Sequence, residues 1–518
     1  MAPTNTAAPP RIPLASLAAD LRVSRTRALR GANVWYRAPA ILAEVRLGGL
    51  AAVSRDEVAD LTRQLRALLP GLALDALDAP SSDRTRTHAP PAWWAALLVE
   101  VTRELQRLAG GGTAEGRVVL SAPDEDRWTI AITYEEESFG IEAVREGARV
   151  LRDALRGDDA EIADTVSALA RRLDRARPDA STRLLMDAAR RRGIPVRRSL
   201  DTDVVQLGLG QAQRRVLGSA TERTSMFAAH AVERQDRVRE ILSGVGVPVP
   251  ARDRARSLDD ALESADDLGF PVRLLPADAP SGRGTMIRDA GALRTAWDSA
   301  RGDKLVVEQV IEGAACIEVL VVNGRTIAAT EWVPATTGAG VDRLAALHAD
   351  VRAVCELAAG AVGLDVAGVE ILTPDPSRPL RSAGGVVTAV HASPDLTRYP
   401  AAGPADAILD MLYPPGAATT IPVVAITGTN GKTTTTRLIA HLFRQTGRTV
   451  GFTTTDGVYL QEQLLMQGDL TGPFAANVIL SHRDVQVAIL ETARGGILKS
   501  GLGFPDCDVA VVMNVTAD

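Results

Sequence analysis

Cysteine is almost missing from this chain. Among 518 residues there are three, Cys316, Cys355 and Cys507, widely separated and without any C-x-x-C pair. Such spacing excludes a disulfide framework and a thiolate zinc site, and fits a reducing cytoplasm. Histidine is equally thin, six residues scattered along the chain, so no histidine metal cluster is expected. No stretch of about 18 uninterrupted apolar residues occurs, which excludes a transmembrane helix. The opening MAPTNTAAPPRIP is rich in Pro and Ala and lacks the hydrophobic segment of a secretory signal. A basic surplus is missing too: 58 Lys plus Arg stand against 64 Asp plus Glu, a formal net charge of -6. With no excess of cations to pair with phosphates or anionic headgroups, a general nucleic-acid or membrane binder is not expected.

What is present is ordinary globular composition, 46% hydrophobic and 24% charged, in a chain long enough for roughly three or four domains. ALLVEVTRELQRLAG (96–110) carries apolar positions at helical spacing and ends in Gly, whereas DRWTIAITYEEES (126–138) alternates as a strand does. GIEAVREGARVLRDAL (140–155) is again helical, and the charged helical stretch after it breaks at Pro178. DKLVVEQVIEG, CIEVLVVNGRTIAATEWV and GVVTAVHASPDL read as strands of a middle section, and YPPGAATTIP (413–422) as a linker. The expected organisation is an α/β multidomain chain: a first α/β section at 1–160, a second at 161–410, a linker at 411–422 and a last section at 423–518.

The last section opens with VVAITGTNGKTTTTRL (423–438), a strand breaking into a phosphate-binding loop. Gly428, Asn430 and Gly431 let the chain turn tightly and bring backbone N–H groups, with that of Thr429, close to phosphate oxygens. The following helix adds its positive N-terminal end near Thr434, so an anion is favoured there. Lys432 is placed to reach the β- and γ-phosphates and Thr433 to ligate Mg²⁺. Ile426 stands where the full consensus of such loops has its first Gly. Downstream, Glu491 ends the strand VQVAILE. Lys432 and Thr433 together point to a nucleotide phosphate site with Mg²⁺.

GTNGKTTTTRL resembles the ATP loop of the Mur ligase family. TTTDGVYLQEQLLMQGDLTGPFAANVIL and AILETARGGILKSGLGFPDCDVAVVMNVTAD resemble, more specifically, the cyanophycin synthetase family. Upstream, VVQLGLGQAQRRVLGSATERTS, LSGVGVPVP and SRPLRSAGGVV resemble the middle region of that family, and LRGANVWY and ELQRLAG its N-terminal region. The resemblance implies an N-terminal domain, an ATP-grasp (α+β) domain over 161–410, and a doubly wound Mur-ligase-type P-loop domain from 423. It implies an ATP-dependent ligase that phosphorylates a carboxylate with ATP at Lys432, lets an amine displace the phosphate, and holds Mg²⁺ with Glu491 beside Thr433. The implied substrates are aspartate- and arginine-type amino acids or a poly-Asp peptide polymer, and the implied assembly is a homotetramer. In the family the Mur-like region runs on past the point equivalent to Asp518. The section from 423 therefore reads as incomplete, with an open apolar sheet edge. Asn514 and Asp518 match the start of the family's Asn-x-x-x-Asp-His stretch.

Several positions depart from the family. Where its ATP-grasp domain has nucleotide-binding lysines, this chain has Leu275 and Gln235. Its glycine-rich loop is here DAPSGRG, keeping Gly282, Arg283 and Gly284; a strand Arg is replaced by Glu318, and a metal-ligand pair by Ala389 and His391. Glu370 and Glu308 remain serviceable. Losing several cations and a metal carboxylate together is expected to leave the ATP-grasp section catalytically dead. An H-x-x-E-H stretch found in some N-terminal domains is replaced by Ala96, Val99 and Glu100, so no hydrolytic zinc site is expected there. Two readings remain open: a ligase whose Mur-like half carries the ATP site, or a non-catalytic scaffold that binds ATP or polymer for an active synthetase. A generic P-loop ATPase leaves ETARGGIL without a reason.

Overall fold

The alternating stretch around Trp128 does form a strand, Arg127–Thr133, and its apolar side chains orient the first sheet. The computed structural model describes residues 13–516 except 54, 75–89, 123–126, 160, 199–201, 278–284, 301–304, 333–339 and 401–402. Two compact units result, one of Met1–Arg177 with Ile421–Asp518, the other of Pro178–Thr420. Among the described residues no helix is long and apolar enough to cross a membrane.

In the first unit β1 (Arg22–Leu29), β2 (Ala40–Arg46), β3 (Gly116–Ala122) and β4 (Arg127–Thr133) form an antiparallel sheet in the order β1-β2-β4-β3. Because side chains alternate across a strand, Ile41, Ala43 and Val45 share one face with Ile130 and Ile132. Helices α1 (Pro90–Leu108) and α2 (Glu137–Arg156) cover that face, and α3 (Ile162–Ala176) packs on both. Leu169 and Leu173 of α3 lie in one core with Trp94, Leu98, Phe139 and Leu151. The first section thus runs to Arg177 rather than residue 160, since the apolar face of α3 finds its partners here.

Among the described residues the second unit holds three antiparallel sheets. A small one joins Val196–Arg198, Val205–Leu207, Arg214–Leu217 and Ala220–Thr221. A four-stranded one has the order Thr285–Ile287, Val272–Pro276, Leu305–Gln309, Arg252–Ala255. Helices Leu258–Leu268 and Ala290–Ser299 cover it, burying Ala261, Ala265 and Leu293 against Val272, Leu274 and Val307. The five-stranded sheet runs Val341–Asp342, Arg325–Trp332, Ala315–Val322, Val366–Thr373, Val386–His391, with helix Ala349–Val362 on one face. This is the α+β arrangement expected for the middle section. The linker is shorter than expected, because Leu412 and Tyr413 are buried in this unit and the Tyr413 hydroxyl donates to the Leu207 carbonyl at 2.6 Å.

The last section has β5 (Val423–Thr427), α4 (Lys432–Gln445), β6 (Val450–Thr454), β7 (Gly457–Leu460), β8 (Gln463–Gln467), α5 (Pro473–Leu480), β9 (Val487–Glu491), α6 (Arg494–Ser500) and β10 (Val509–Val512). Its sheet order is β8-β7-β6-β9-β5-β10. The β6, β9, β5 and β10 strands are parallel, and β7 and β8 extend the sheet antiparallel. Val424 and Ile426 pack with Ala440 of α4 and with Val450, Phe452, Val487 and Ile489. Strand β10 is an exposed apolar edge, with Val512 62% exposed. The architecture puts the carboxyl ends of β5, β9 and β10 side by side, where open α/β sheets bind ligands.

Candidate active site

Ile426 pairs with Glu491, and Thr427 with Val512, so the loop leaving β5 is flanked by the ends of two neighbours. The turn uses Gly428 at φ +141° and Gly431 at φ +85°. A Cβ at residue 428 would lie 2.8 Å from the Met513 Cβ and 3.1 Å from the Asn514 carbonyl oxygen. Gly428→Ala therefore combines strain at positive φ, about 1–3 kcal/mol, with a clash. It is expected to lower both the melting temperature and the affinity for ATP, measured by calorimetry.

Helix α4 starts at Lys432 with no side chain capping its N-terminus, leaving first-turn N–H groups for an anion. The Lys432 ammonium donates to the carbonyls of Gly428 at 2.8 Å and Thr429 at 3.1 Å, which fixes it beneath the loop. The Thr433 hydroxyl donates to Glu491 Oε2 at 2.9 Å and lies 3.2 Å from the Thr455 hydroxyl. Glu491 is 1% exposed, and its Oε1 is buried without a hydrogen-bond partner among the described residues. Burial raises the Glu491 pKa, opposed by the Thr433 bond and the Lys432 charge. An orphaned carboxylate oxygen beside a threonine hydroxyl is a hard-oxygen donor pair, and these residues fit Mg²⁺. Gly428, Thr429, Asn430, Gly431, Lys432, Thr433, Thr434 and Glu491 are thus gathered at one corner of the sheet.

Sequence reasoning did not foresee the role of the segment after β10. The Thr429 N–H donates to the Asn514 carbonyl at 2.7 Å and the Asn430 N–H to Asn514 Oδ1 at 2.8 Å. The signal was the parallel order itself, which seats β10 beside β5.

The second unit places its departures differently. Leu275 is buried in the strand Val272–Pro276, and Gln235 begins helix Gln235–Gly244, its amide donating to the Val232 carbonyl at 3.3 Å. Glu308, fully buried, receives Arg252 at 2.7 Å. Glu318 receives Arg398 at 3.3 Å, and Glu370 lies across from Ala389, with His391 at 3.9 Å. The Glu370 carboxylate raises the His391 pKa. Gly282, Arg283, Gly284 and Asp518 lie outside the described residues. Among the described residues no group of three or more His, Cys, Asp or Glu is arranged to hold a metal. Arg252 and Arg398 close on Glu308 and Glu318. Arg252→Ala breaks this buried ion pair and should destabilise the chain by about 3–5 kcal/mol in denaturant unfolding. The double change Arg252→Met, Glu308→Leu should recover most of that loss. In the first unit Val99 is buried in the core and Glu100 is bound by Arg103 at 2.7 Å.

The family model of the Mur ligase middle domain matches residues 426–518, the segment just described. A cyanophycin synthetase from Synechocystis sp. is 30% identical over 588 residues, covering 96% of this chain and 67% of that protein. The chain belongs to the cyanophycin synthetase family. A cyanophycin synthetase from Trichormus variabilis is 31% identical, covering 96% of this chain and 65% of that protein. The chain thus spans about two thirds of the length of the cyanophycin synthetases it matches. Among solved structures, a bifunctional glutathione synthetase from Pasteurella multocida is similar at a TM-score of 0.40 and 12% identity, over 73% of this chain and 82% of that one. Membership in the cyanophycin synthetase family makes this an ATP-dependent amide-bond-forming ligase by descent.

Proposed function

We propose that the chain binds ATP at the loop Gly428–Thr434 and there activates a carboxylate for attack by an amine. The observation that carries this reading is the Thr433–Glu491 pair at 2.9 Å, one residue from Lys432, with Glu491 Oε1 unpartnered among the described residues. Lys432 sets its charge against the β- and γ-phosphates, and N–H groups of residues 431–434 cradle their oxygens. Thr433 and Glu491 would hold Mg²⁺, which when bound draws charge from the phosphate oxygens. A substrate carboxylate oxygen attacks the γ-phosphorus and ADP leaves, giving an acyl phosphate. The amine nitrogen then forms the C–N bond, inorganic phosphate leaves, and the amine's proton goes to solvent. Catalysis is then mainly positioning and charge neutralisation. The substrates are aspartate- and arginine-type amino acids or a poly-Asp peptide polymer.

The second unit serves as scaffold in this reading. The Arg252–Glu308 and Arg398–Glu318 pairs occupy charges that an ATP-grasp site would need. The test is to trap the acyl phosphate with hydroxylamine in the presence of ATP, Mg²⁺ and aspartyl peptides. ATP-dependent hydroxamate, absent in Glu491→Gln, is the expected result. ATP bound at the loop without hydroxamate from any aspartyl peptide would make the chain a binding scaffold.

A further inference from the structure

The loop of this chain has Ile426 where longer phosphate loops have a glycine, and something other than its own residues must set its shape. Residues 513–516, following β10, make those contacts. The Met513 N–H donates to the Thr427 carbonyl at 3.0 Å, continuing the β5–β10 pairing past its last register position. Beyond it, Asn514 receives two successive loop N–H groups, that of Thr429 on its carbonyl and that of Asn430 on its side-chain oxygen. The Thr516 N–H adds a bond to the Thr429 hydroxyl at 3.2 Å. The Met513 side chain fills the space beside Gly428, with its sulfur 3.6 Å from the Thr435 hydroxyl. From the opposite side Lys432 takes the carbonyls of Gly428 and Thr429.

Taken together, both polar groups of the 429 backbone are committed before any ligand arrives. The donors still directed at an anion are those of residues 431–434, the last of the loop and the first of α4. We propose that Asn514 is a positioning residue for the nucleotide: its carboxamide braces the Asn430 peptide so that these N–H groups converge on the polyphosphate. This rests on the reading of the loop as the ATP site. The neutral amide matters as well as its acceptor oxygen. An aspartate at 514 would keep the acceptor while placing a negative charge beside the triphosphate.

The test compares the full chain with Asn514→Ala, Asn514→Asp and Lys432→Ala, reading ATP·Mg²⁺ affinity by calorimetry, melting temperature, and hydrogen exchange of the peptide containing residues 428–434. Asn514→Ala should weaken ATP about tenfold and speed exchange in the nucleotide-free loop, with the melting temperature unchanged. Asn514→Asp should keep the slow exchange, because the acceptor remains, yet weaken ATP at least as much. Unaltered affinity in both Asn514 variants, with binding lost in Lys432→Ala, overturns the brace and leaves the ATP site standing. Undiminished ATP affinity in Lys432→Ala overturns the ATP site itself. Should Asn514→Ala not fold, Asn514→Asp decides: slow exchange with weakened ATP supports the brace, and wild-type affinity overturns it.

Discussion

Lys432→Ala should weaken binding of ATP·Mg²⁺ by about ten- to a hundredfold, the 1.5–3 kcal/mol of a charge-assisted hydrogen bond. The ammonium does two things at once. It caps the carbonyls of Gly428 and Thr429, and it leaves donor capacity for a phosphate oxygen. Alanine removes the charge and frees two carbonyl dipoles to point their negative ends into the anion site. Lys432→Arg should rescue little. A planar guanidinium cannot sit as a compact point charge under a loop whose carbonyls approach within 3.1 Å. The chain itself supports this distinction: it has three lysines, Lys304, Lys432 and Lys499, among many arginines. Undiminished ATP affinity in Lys432→Ala would move the site to the second unit, where Leu275 and Gln235 offer no such charge.

Much of the site was legible in the sequence because its contacts are local. A strand, two glycines, a lysine and a threonine within a dozen residues determine a phosphate loop, and Glu491 was legible as the end of the apolar run VQVAILE, a strand buried on both faces. What was hidden depends on sheet order. Nothing near residue 430 announces that Asn514, more than eighty residues on, returns beside it; only the pairing of β5 with β10 does so. Section borders were hidden for a related reason. The amphipathic pattern of α3 states that one face is buried but not in which core, and Leu169 and Leu173 turned out to belong to the first. In the second unit the lost lysines were visible as letters. The partners that now hold Glu308 and Glu318, Arg252 and Arg398, lie 56 and 80 residues away and could be identified only from the fold.

Glu491→Gln should separate stability from function. Burial raises the Glu491 pKa above its ordinary value, so the folded state holds this proton more tightly than the unfolded chain does. The resulting stabilisation is complete below the unfolded value and is lost as pH rises through the folded one. At pH 7 the charge is therefore a net cost to the fold, and its Oε1 has no hydrogen-bond partner among the described residues. Removing the charge should leave the melting temperature at pH 7 equal or higher, with the gain vanishing below about pH 4. Added Mg²⁺ with ATP should raise the wild-type melting temperature by mass action and the variant's less. Ligation should fall about 10²–10³-fold, the scale on which one preorganised charge-stabilising group acts, and ATP affinity should lose its dependence on Mg²⁺. A variant less stable at pH 7 would mean that the carboxylate is structural. A variant that kept Mg²⁺-dependent ATP affinity would place the metal elsewhere. The expected pattern, a fold relieved and a reaction lost, is what a buried acid retained for a cation predicts.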